Sequence, residues 1–143
     1  MSTNLSELKD APEFTLKGKF LECKVIDVYD GDTVTIIFPF ENNCYKKKCR
    51  LFGIDTPEKR TKNLEEKKAA IIAKEFLEEI VINKIVWIKF ENWDKYGRLM
   101  GHIYKNKDCE KSVNNLLVEN GFAYEYDGGT KKKFGEWYNI KNK

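Results

Sequence analysis

The sequence contains little histidine and no long hydrophobic run. His102 is the only histidine among 143 residues, which excludes mechanisms that need two histidines and disfavours a histidine-ligated metal nuclease. Its surroundings predict a surface or half-buried strand residue rather than a catalyst. No stretch approaches the length of a membrane-spanning helix, and the first twenty residues lack the apolar centre of a signal peptide. We therefore expect a soluble, intracellular protein with no membrane partner.

No CxxC pair occurs among the four cysteines, which weakens the case for a zinc site. Two disulfides or an all-cysteine metal site remain the alternatives to free thiols. The closest pair, Cys44 and Cys49, has a spacing at the loose end of that seen for zinc ligands. Without a secretory signal, reduced thiols are the expectation.

Arginine is scarce as well. Of the 26 Lys and Arg residues only Arg50, Arg60 and Arg98 are arginine, and two of these lie in acidic segments punctuated by glycine. Lysine serves for solubility and for diffuse attraction to phosphate, whereas arginine presents a planar fork that holds two oxygens of a phosphate or carboxylate. The arginines at 50 and 98 are therefore candidates for phosphate binding, and structural salt bridges are the alternative.

The net charge is only +3, although 34% of the residues are charged. Lysines nevertheless cluster at residues 46–48 and 131–133. Such runs are either the electrostatic footprint of a phosphate-backbone binder or solvated loops. The length is typical of one domain, which we place at residues 18–138, between a flexible arm at residues 1–17 and a tail at residues 139–143.

Hydrophobic periodicity predicts five strands and two or three helices. An Asp-Gly turn at residues 30–31 joins the first two strands, which is a strong hairpin signal, and Pro39 is expected to end the second strand. Five short antiparallel strands with a helix after the third indicate an α+β, mainly β, five-stranded OB-fold barrel with two to three helices. The predicted strands are 20–28, 33–38, 48–52, 84–90 and 99–104, residues 41–46 are a loop, and the helices are 65–80, 113–120 and a brief one around 132–138.

Three acidic residues fall at predicted strand ends, where barrel strands converge. Asp32 follows the first hairpin turn, and Asp55 and Glu58 follow the third strand. Two aspartates with a nearby carbonyl form an oxygen-only site suited to Ca²⁺ or Mg²⁺, and Glu58 could reach it through a water. Taken singly, Asp32 could be a turn residue, Asp55 an Asx-turn residue and Glu58 a solvated loop acid.

Three motifs, Asp30–Thr33, Arg50 with Ile54–Glu58, and Asp94–Arg98, closely resemble those of the staphylococcal-nuclease-like (thermonuclease) family. The resemblance covers roughly residues 18–138 and includes the order and spacing of the motifs. It implies an OB-fold barrel and a Ca²⁺-dependent nuclease that acts on DNA and RNA and leaves 3′-phosphate ends. The segment from Lys59 to Leu64 is shorter than the long flexible loop of the secreted bacterial enzyme.

The same resemblance implies roles for individual residues. Asp32 and Asp55 match the metal carboxylates, with the Thr56 carbonyl as a further ligand. Glu58 matches the acid that positions or deprotonates the attacking water. Arg50 and Arg98 match the two phosphate-binding arginines, and Lys95 and Tyr96 match the residues beside the terminal phosphate of a bound nucleotide. Tyr124 and Tyr126 resemble the pair of tyrosines that pack against the nucleotide, and ordinary strand or loop aromatics are the alternative.

Nucleic acid, with single-stranded DNA or RNA preferred, is the expected partner of a monomeric protein. Two other functions stay open. One is a catalytically silent module that binds nucleic acid or protein on the same barrel, although such modules typically lose the carboxylates or arginines that this chain retains. The other is a plain OB-type single-strand binder, which leaves the acidic cluster unexplained.

Overall fold

Five strands close into a barrel at the centre of the structure, a computed structural model that describes residues 4–138. A separate pair of two-residue strands and three helices surround this barrel, so the predicted five-stranded OB-type barrel is confirmed. In chain order the elements are β1 (Phe20–Asp30), β2 (Thr33–Phe40), β3 (Asn43–Leu51), β4 (Ile54–Asp55), α1 (Leu64–Val81), β5 (Ile85–Glu91), β6 (Leu99–Tyr104), α2 (Val113–Glu119), β7 (Tyr124–Glu125) and α3 (Phe134–Trp137), after a 3₁₀ turn at Leu5–Glu7.

The strands follow the order β1-β2-β3-β6-β5, and β5 pairs with β1 to close the barrel. The expectation of an all-antiparallel barrel is wrong at one place, because β3 and β6 pair in parallel, with Arg50 opposite Met100. The chain leaves β3 through β4 and α1 and adds β5 before β6, so β6 returns beside β3 in the same direction. Two neighbouring parallel strands need a crossover connection, which usually contains a helix.

The Asp-Gly hairpin between β1 and β2 is confirmed, with Asp30 paired to Thr33 across the turn. A Cβ added to Gly31 would lie 2.9 Å from the Ala73 Cβ of α1 and 3.2 Å from the Thr56 Cγ2. Any larger residue at this turn would therefore push against the helix. The glycine allows α1 to hold the turn that carries Asp32.

Helix α1 begins at its predicted place because the Asn63 side chain accepts hydrogen bonds from the backbone N–H groups of Glu65 and Glu66, at 2.9 and 3.2 Å. Ile72 on this helix is exposed. The buried face consists mostly of small residues, which let the helix approach the barrel closely: Ala69, Ala70, Ala73, Leu77 and Val81.

Helix α2 is capped at both ends. The Ser112 Oγ accepts a hydrogen bond from the Asn115 N–H at 3.0 Å, and Gly121 follows the helix with a φ of +78°. The helix packs its apolar face, including Val113 and Leu117, into the core.

Two strand predictions were wrong in the β2–β3 hairpin. The second strand does not end at Pro39 but continues to Phe40, and the third begins at Asn43 inside the predicted 41–46 loop. Residues 41 and 42 alone make the turn, with Glu41 at a φ of +55°. The first six residues of β3 are all exposed, so this half of the strand carries no apolar alternation from which it could be predicted.

The segment before β1 packs against the barrel in part. Leu16 is buried in the core, and the Phe14 ring contacts Phe40 and Trp93 at centroid distances of 5.5 and 5.7 Å. Part of the predicted arm thus packs against the barrel, and the boundary at residue 18 stays a prediction. The proposed tail at residues 139–143 lies outside the described residues.

The four cysteines are free, with Cys23 and Cys49 buried in the barrel and Cys44 exposed. Cys44 and Cys49 both lie on β3, where Cys44 is exposed to solvent and Cys49 is buried inside the barrel. Across residues 4–138, no helix has the length and apolar character needed to cross a membrane.

Candidate active site

Pairing of β2 with β3 brings Asp32 and Arg50 together. Thr33 lies opposite Arg50, and the Leu51 N–H donates to the Asp32 carbonyl at 2.8 Å. The Arg50 Nη2 donates to the Asp32 Oδ2 at 3.3 Å and to the Asp55 Oδ1 at 3.2 Å. One guanidinium nitrogen therefore bridges two buried carboxylates that are 23 positions apart in the chain. Arg50 itself is only 9% exposed.

The small β4–β7 sheet fixes Asp55 from the other side. Asp55 lies opposite Tyr124, whose hydroxyl donates to the Asp55 Oδ2 at 3.1 Å. That hydroxyl in turn accepts a hydrogen bond from the Lys132 N–H at 2.9 Å. Both Asp55 oxygens thus have a partner, which restricts the orientation of the carboxylate.

Burial makes the negative charge of Asp32 costly. The pKa of Asp32 is raised to about 6 by its removal from water and by the neighbouring Asp30, while Arg50 and a hydrogen bond from Thr33 act in the opposite direction. Arg50 alone therefore does not compensate the burial of this carboxylate. A further cation beside Asp32 would favour its charged form.

The donor set fits a hard divalent cation. Oxygens of Asp32 and Asp55 converge on the same Arg50 nitrogen, and Thr56 directly follows Asp55 and packs its side chain against the turn that carries Asp32. Among residues 4–138, no three His, Cys, Asp or Glu side chains form a metal-binding group. Two carboxylates, one carbonyl and water make an oxygen-only, water-rich shell of the kind that Ca²⁺ accepts.

Glu58 lies at the mouth of this cluster. Its side chain is 56% exposed, and its backbone N–H donates to the Glu66 Oε2 of α1 at 3.1 Å. The Glu58 Oε1 lies 3.4 Å from the Lys131 Nζ, which is also 3.4 Å from the Asp55 Oδ1. Glu58 is therefore linked through a lysine to Asp55, one of the two predicted metal ligands.

Arg98 lies at the start of the neighbouring strand β6 and is held by Asp94. The Arg98 Nε donates to the Asp94 Oδ2 at 2.6 Å, and the Arg98 and Tyr96 N–H groups each donate to the Asp94 Oδ1 at 2.9 Å. Partial burial would raise the pKa of Asp94, but these hydrogen bonds outweigh it and lower that pKa. The Arg98 side chain remains 31% exposed, so its guanidinium can still meet a ligand.

A groove of about 700 Å³ collects most of the predicted substrate residues. Tyr96 is 73% exposed at its rim, and the Lys95 Nζ lies 5.3 Å from the Tyr96 ring centre. Tyr126 is half-buried, and its hydroxyl donates to the Gly129 carbonyl at 2.6 Å. The six predicted or newly found site residues that line this groove are Arg50, Lys95, Tyr96, Arg98, Tyr126 and Lys131.

Tyr124 and Lys131 occupy places that sequence reasoning did not assign. Tyr124, predicted to pack against a nucleotide, is only 8% exposed, and its hydroxyl is used by Asp55. Lys131 was visible only as part of the 131–133 lysine run, with nothing to relate it to an acid 73 positions away. Half-buried His102 lies outside the carboxylate cluster, with its Nε2 3.0 Å from the Glu91 Oε2.

A family model for staphylococcal nuclease homologues matches residues 48–141, more than half of the chain. The chain belongs to this family. The match begins in β3, two residues before Arg50, and includes Asp55, Glu58, Arg98 and the segment that carries Lys131.

Curated proteins with similar sequences include an uncharacterised protein of Methanocaldococcus jannaschii, which is 36% identical over 124 residues and aligns with 72% of this chain and 58% of its own length. The thermonuclease of Staphylococcus hyicus is 28% identical over 102 residues, covering 70% of this chain and 56% of the relative. An endonuclease of Bacillus subtilis is 32% identical over 108 residues, with 71% and 48% covered. The chain therefore spans about half to three fifths of the length of these relatives.

Proposed function

We propose that this chain is a calcium-dependent nuclease that hydrolyses the phosphodiester bonds of DNA and RNA and leaves 3′-phosphate ends. The convergence of Asp32 and Asp55 on one point, directly beside a groove that contains Arg50 and Arg98, carries the proposal. Carboxylates that can hold a metal ion and forked cations that can hold phosphate are side chains suited to metal-dependent phosphodiester hydrolysis. Membership of the family, together with relatives named thermonuclease and endonuclease, supports the same reaction.

Asp32, Asp55 and the Thr56 carbonyl would hold the cation. Bound there, Ca²⁺ supplies an acidified water and positive charge beside the phosphoryl oxygens. Tyr124 keeps the Asp55 carboxylate oriented. The burial of Asp32 and Asp55, at 6% and 5% exposure, limits screening by solvent at this point.

Glu58 is the acid that acts on the attacking water. Its exposed carboxylate borders the cleft that also contains Asp55 and Thr56, so a water between them is within reach of a proton acceptor. The water oxygen forms the new bond to phosphorus, and Glu58 orients that water or takes its proton. The bond from phosphorus to the 5′ oxygen breaks, and that oxygen takes a proton from solvent.

Arg50 and Arg98 stabilise the charge that develops on the phosphoryl oxygens. Both line the same groove, and in the ligand-free protein each pairs with an aspartate. A phosphate in the groove offers each guanidinium a second set of oxygens. Charge-assisted hydrogen bonds of this kind strengthen as negative charge accumulates in the transition state.

Single-stranded DNA or RNA is the substrate that the groove favours. Tyr96 projects from its rim with 73% exposure, and an exposed ring can stack on a base only where that base is unpaired. Tyr96→Ala should therefore raise KM for a single-stranded oligonucleotide and leave kcat close to that of the unsubstituted protein.

The decisive experiment is degradation of single-stranded DNA with Ca²⁺ and with excess chelator. We expect cleavage only with Ca²⁺, and fragments whose 5′-hydroxyl ends accept phosphate from a polynucleotide kinase without prior phosphatase treatment. Asp55→Asn, purified identically, controls for contaminating nuclease. Undiminished cleavage in chelator, or equal cleavage by the Asp55→Asn protein, would contradict the proposal.

A further inference from the structure

Lys131 occupies a position between the two parts of the candidate site. It borders the groove that contains Arg50 and Arg98, and it also borders the cleft that contains Asp55, Thr56 and Glu58. Its Nζ lies 3.4 Å from the Asp55 Oδ1 and 3.4 Å from the Glu58 Oε1. A single ammonium group thus stands beside one carboxylate of the predicted metal pair and the acid predicted to act on water.

The backbone on both sides of Lys131 is fixed, which separates it from an ordinary surface lysine. The Lys132 N–H donates to the Tyr124 hydroxyl at 2.9 Å, and that hydroxyl donates to Asp55. Upstream, the Gly129 carbonyl accepts from the Tyr126 hydroxyl at 2.6 Å, and the Gly129 N–H donates to the Asp127 Oδ1 at 2.9 Å. The segment is therefore tied to the same tyrosine that orients Asp55, which fixes the position from which the Lys131 side chain extends.

We propose that Lys131 is a built-in counter-ion of the carboxylate cluster that competes with the divalent cation for Asp55. This inference rests on the proposed function, since it concerns the same metal site. Its physical basis is simple: a fixed positive charge near a cation site opposes entry of the cation, whether the lysine stays or moves away. Lys131 also keeps the exposed Glu58 beside Asp55 while the site holds no metal.

The effect on affinity is set by how exposed the lysine is. The Lys131 side chain is 48% exposed and Glu58 is 56% exposed, so solvent screens this pair strongly. The partner Asp55 side chain is only 8% exposed, which preserves more of the interaction. Removal of the charge should therefore tighten Ca²⁺ binding by about three- to tenfold, within the range that screened pairs of this kind give.

The test is a calorimetric titration of CaCl₂ into the purified protein at low ionic strength. Lys131→Met keeps the length of the side chain and removes the charge. Lys131→Arg restores a charge at this position. Lys133→Met is the matched control, because it removes one positive charge from the same lysine run at an exposed residue that borders the same cleft but, among residues 4–138, forms no ion pair with Asp55 or Glu58.

The expected result is a Kd for Ca²⁺ that falls in Lys131→Met, remains within about twofold in Lys133→Met and returns towards the unsubstituted value in Lys131→Arg. Detectable Ca²⁺ binding by Lys131→Met, with none by the unsubstituted protein, would also support the inference. Equal or weaker binding in Lys131→Met, beside normal binding by the unsubstituted protein, would overturn the inference and leave the proposed function intact. Absence of Ca²⁺ binding in every variant would overturn both. If the Ca²⁺ affinities follow the expected order but the protein does not cleave DNA, the proposed nuclease activity is contradicted and the inference about Lys131 stands.

Discussion

The hydroxyl of Tyr124 donates to the Asp55 Oδ2 at 3.1 Å, between residues 69 positions apart in the chain. This bond belongs to a short relay, because the same hydroxyl accepts from the Lys132 N–H at 2.9 Å. The two-residue strands β4 and β7 pair here, and they place Asp55 directly opposite Tyr124. The relay therefore couples a predicted metal ligand to the segment that carries Lys131.

Tyr124→Phe should destabilise the protein by about 1–3 kcal/mol, since it leaves an Asp55 oxygen and the Lys132 N–H without this partner in a buried setting. Urea unfolding monitored by tryptophan fluorescence measures the loss. Tyr126→Phe is the matched control, because the Tyr126 hydroxyl bonds an exposed carbonyl and should cost less. Equal losses of unfolding free energy in the two variants would show that the Tyr124 hydrogen bonds stabilise the protein no more than an exposed one.

Arg50→Lys and Arg98→Lys should each lower kcat by about 10²–10³-fold although the charge is kept, because a point charge cannot replace the fork at the phosphoryl oxygens. Single-turnover rates on a labelled single-stranded oligonucleotide give the comparison. Arg60→Lys serves as the control, since Arg60 is exposed and should keep the full rate. Near-normal kcat in both site variants would identify the two arginines as purely structural ion-pair partners of the aspartates.

Glu58→Gln should separate catalysis from metal binding. Glu58 lies beyond direct contact with Arg50 and reaches Asp55 only through Lys131, so the variant should lose about 10²–10⁴-fold in kcat and keep Ca²⁺ affinity within a small factor. Asp32→Asn and Asp55→Asn should instead weaken Ca²⁺ binding, because each removes a charged ligand. Calorimetry with a non-hydrolysable nucleotide, beside single-turnover rates, measures both quantities.

The reverse pattern would contradict these roles. Loss of Ca²⁺ binding in Glu58→Gln, together with normal binding in Asp55→Asn, would make Glu58 a direct metal ligand. The bridging position of Arg50 between the two aspartates would then reflect fold stability alone.

The contribution of Asp32 to the stability of the metal-free protein should fall as pH rises from roughly 4 to 6. The pKa of Asp32 is raised from 3.8 to about 6 by burial, so the folded state binds more protons than the unfolded state across this interval, and the free energy of unfolding decreases with pH. Asp32→Asn removes this titration and should flatten that part of the profile. Urea unfolding in chelator at several pH values tests it; an unchanged slope in Asp32→Asn would assign the dependence to other groups.

Local patterns predicted most of the fold. The Asp-Gly hairpin and the long helix at residues 65–80 both depend on neighbours within a few residues. The prediction that Pro39 ends the second strand was wrong. Pro39 lies opposite Cys44, next to the two-residue turn, and a residue without an N–H is tolerated near the end of a strand pair. The exposed half of β3 and the two-residue strands carry too little alternation for periodicity to detect.

The residues of the candidate site that lie in sequence motifs could be predicted. Those that strand pairing brings to the site could not. Asp32, Arg50 and Asp55 come together as their motifs suggest. Tyr124 and Lys131 reach Asp55 only through the pairing of β7 with β4 and the turn that follows. No pattern within a short window shows that a lysine run will lie beside an acid far upstream.

Parallel pairing of β3 with β6 bears on the proposed nuclease, because it brings the two candidate phosphate-binding arginines together. Arg50 lies on β3, Arg98 directly precedes β6, and both border the same groove. In the barrel, β6 lies between β3 and β5, and β5 closes on β1. A chain without β6 in place would lack Arg98 at that groove. Under the proposed function, closure of the barrel is therefore a condition for cleavage.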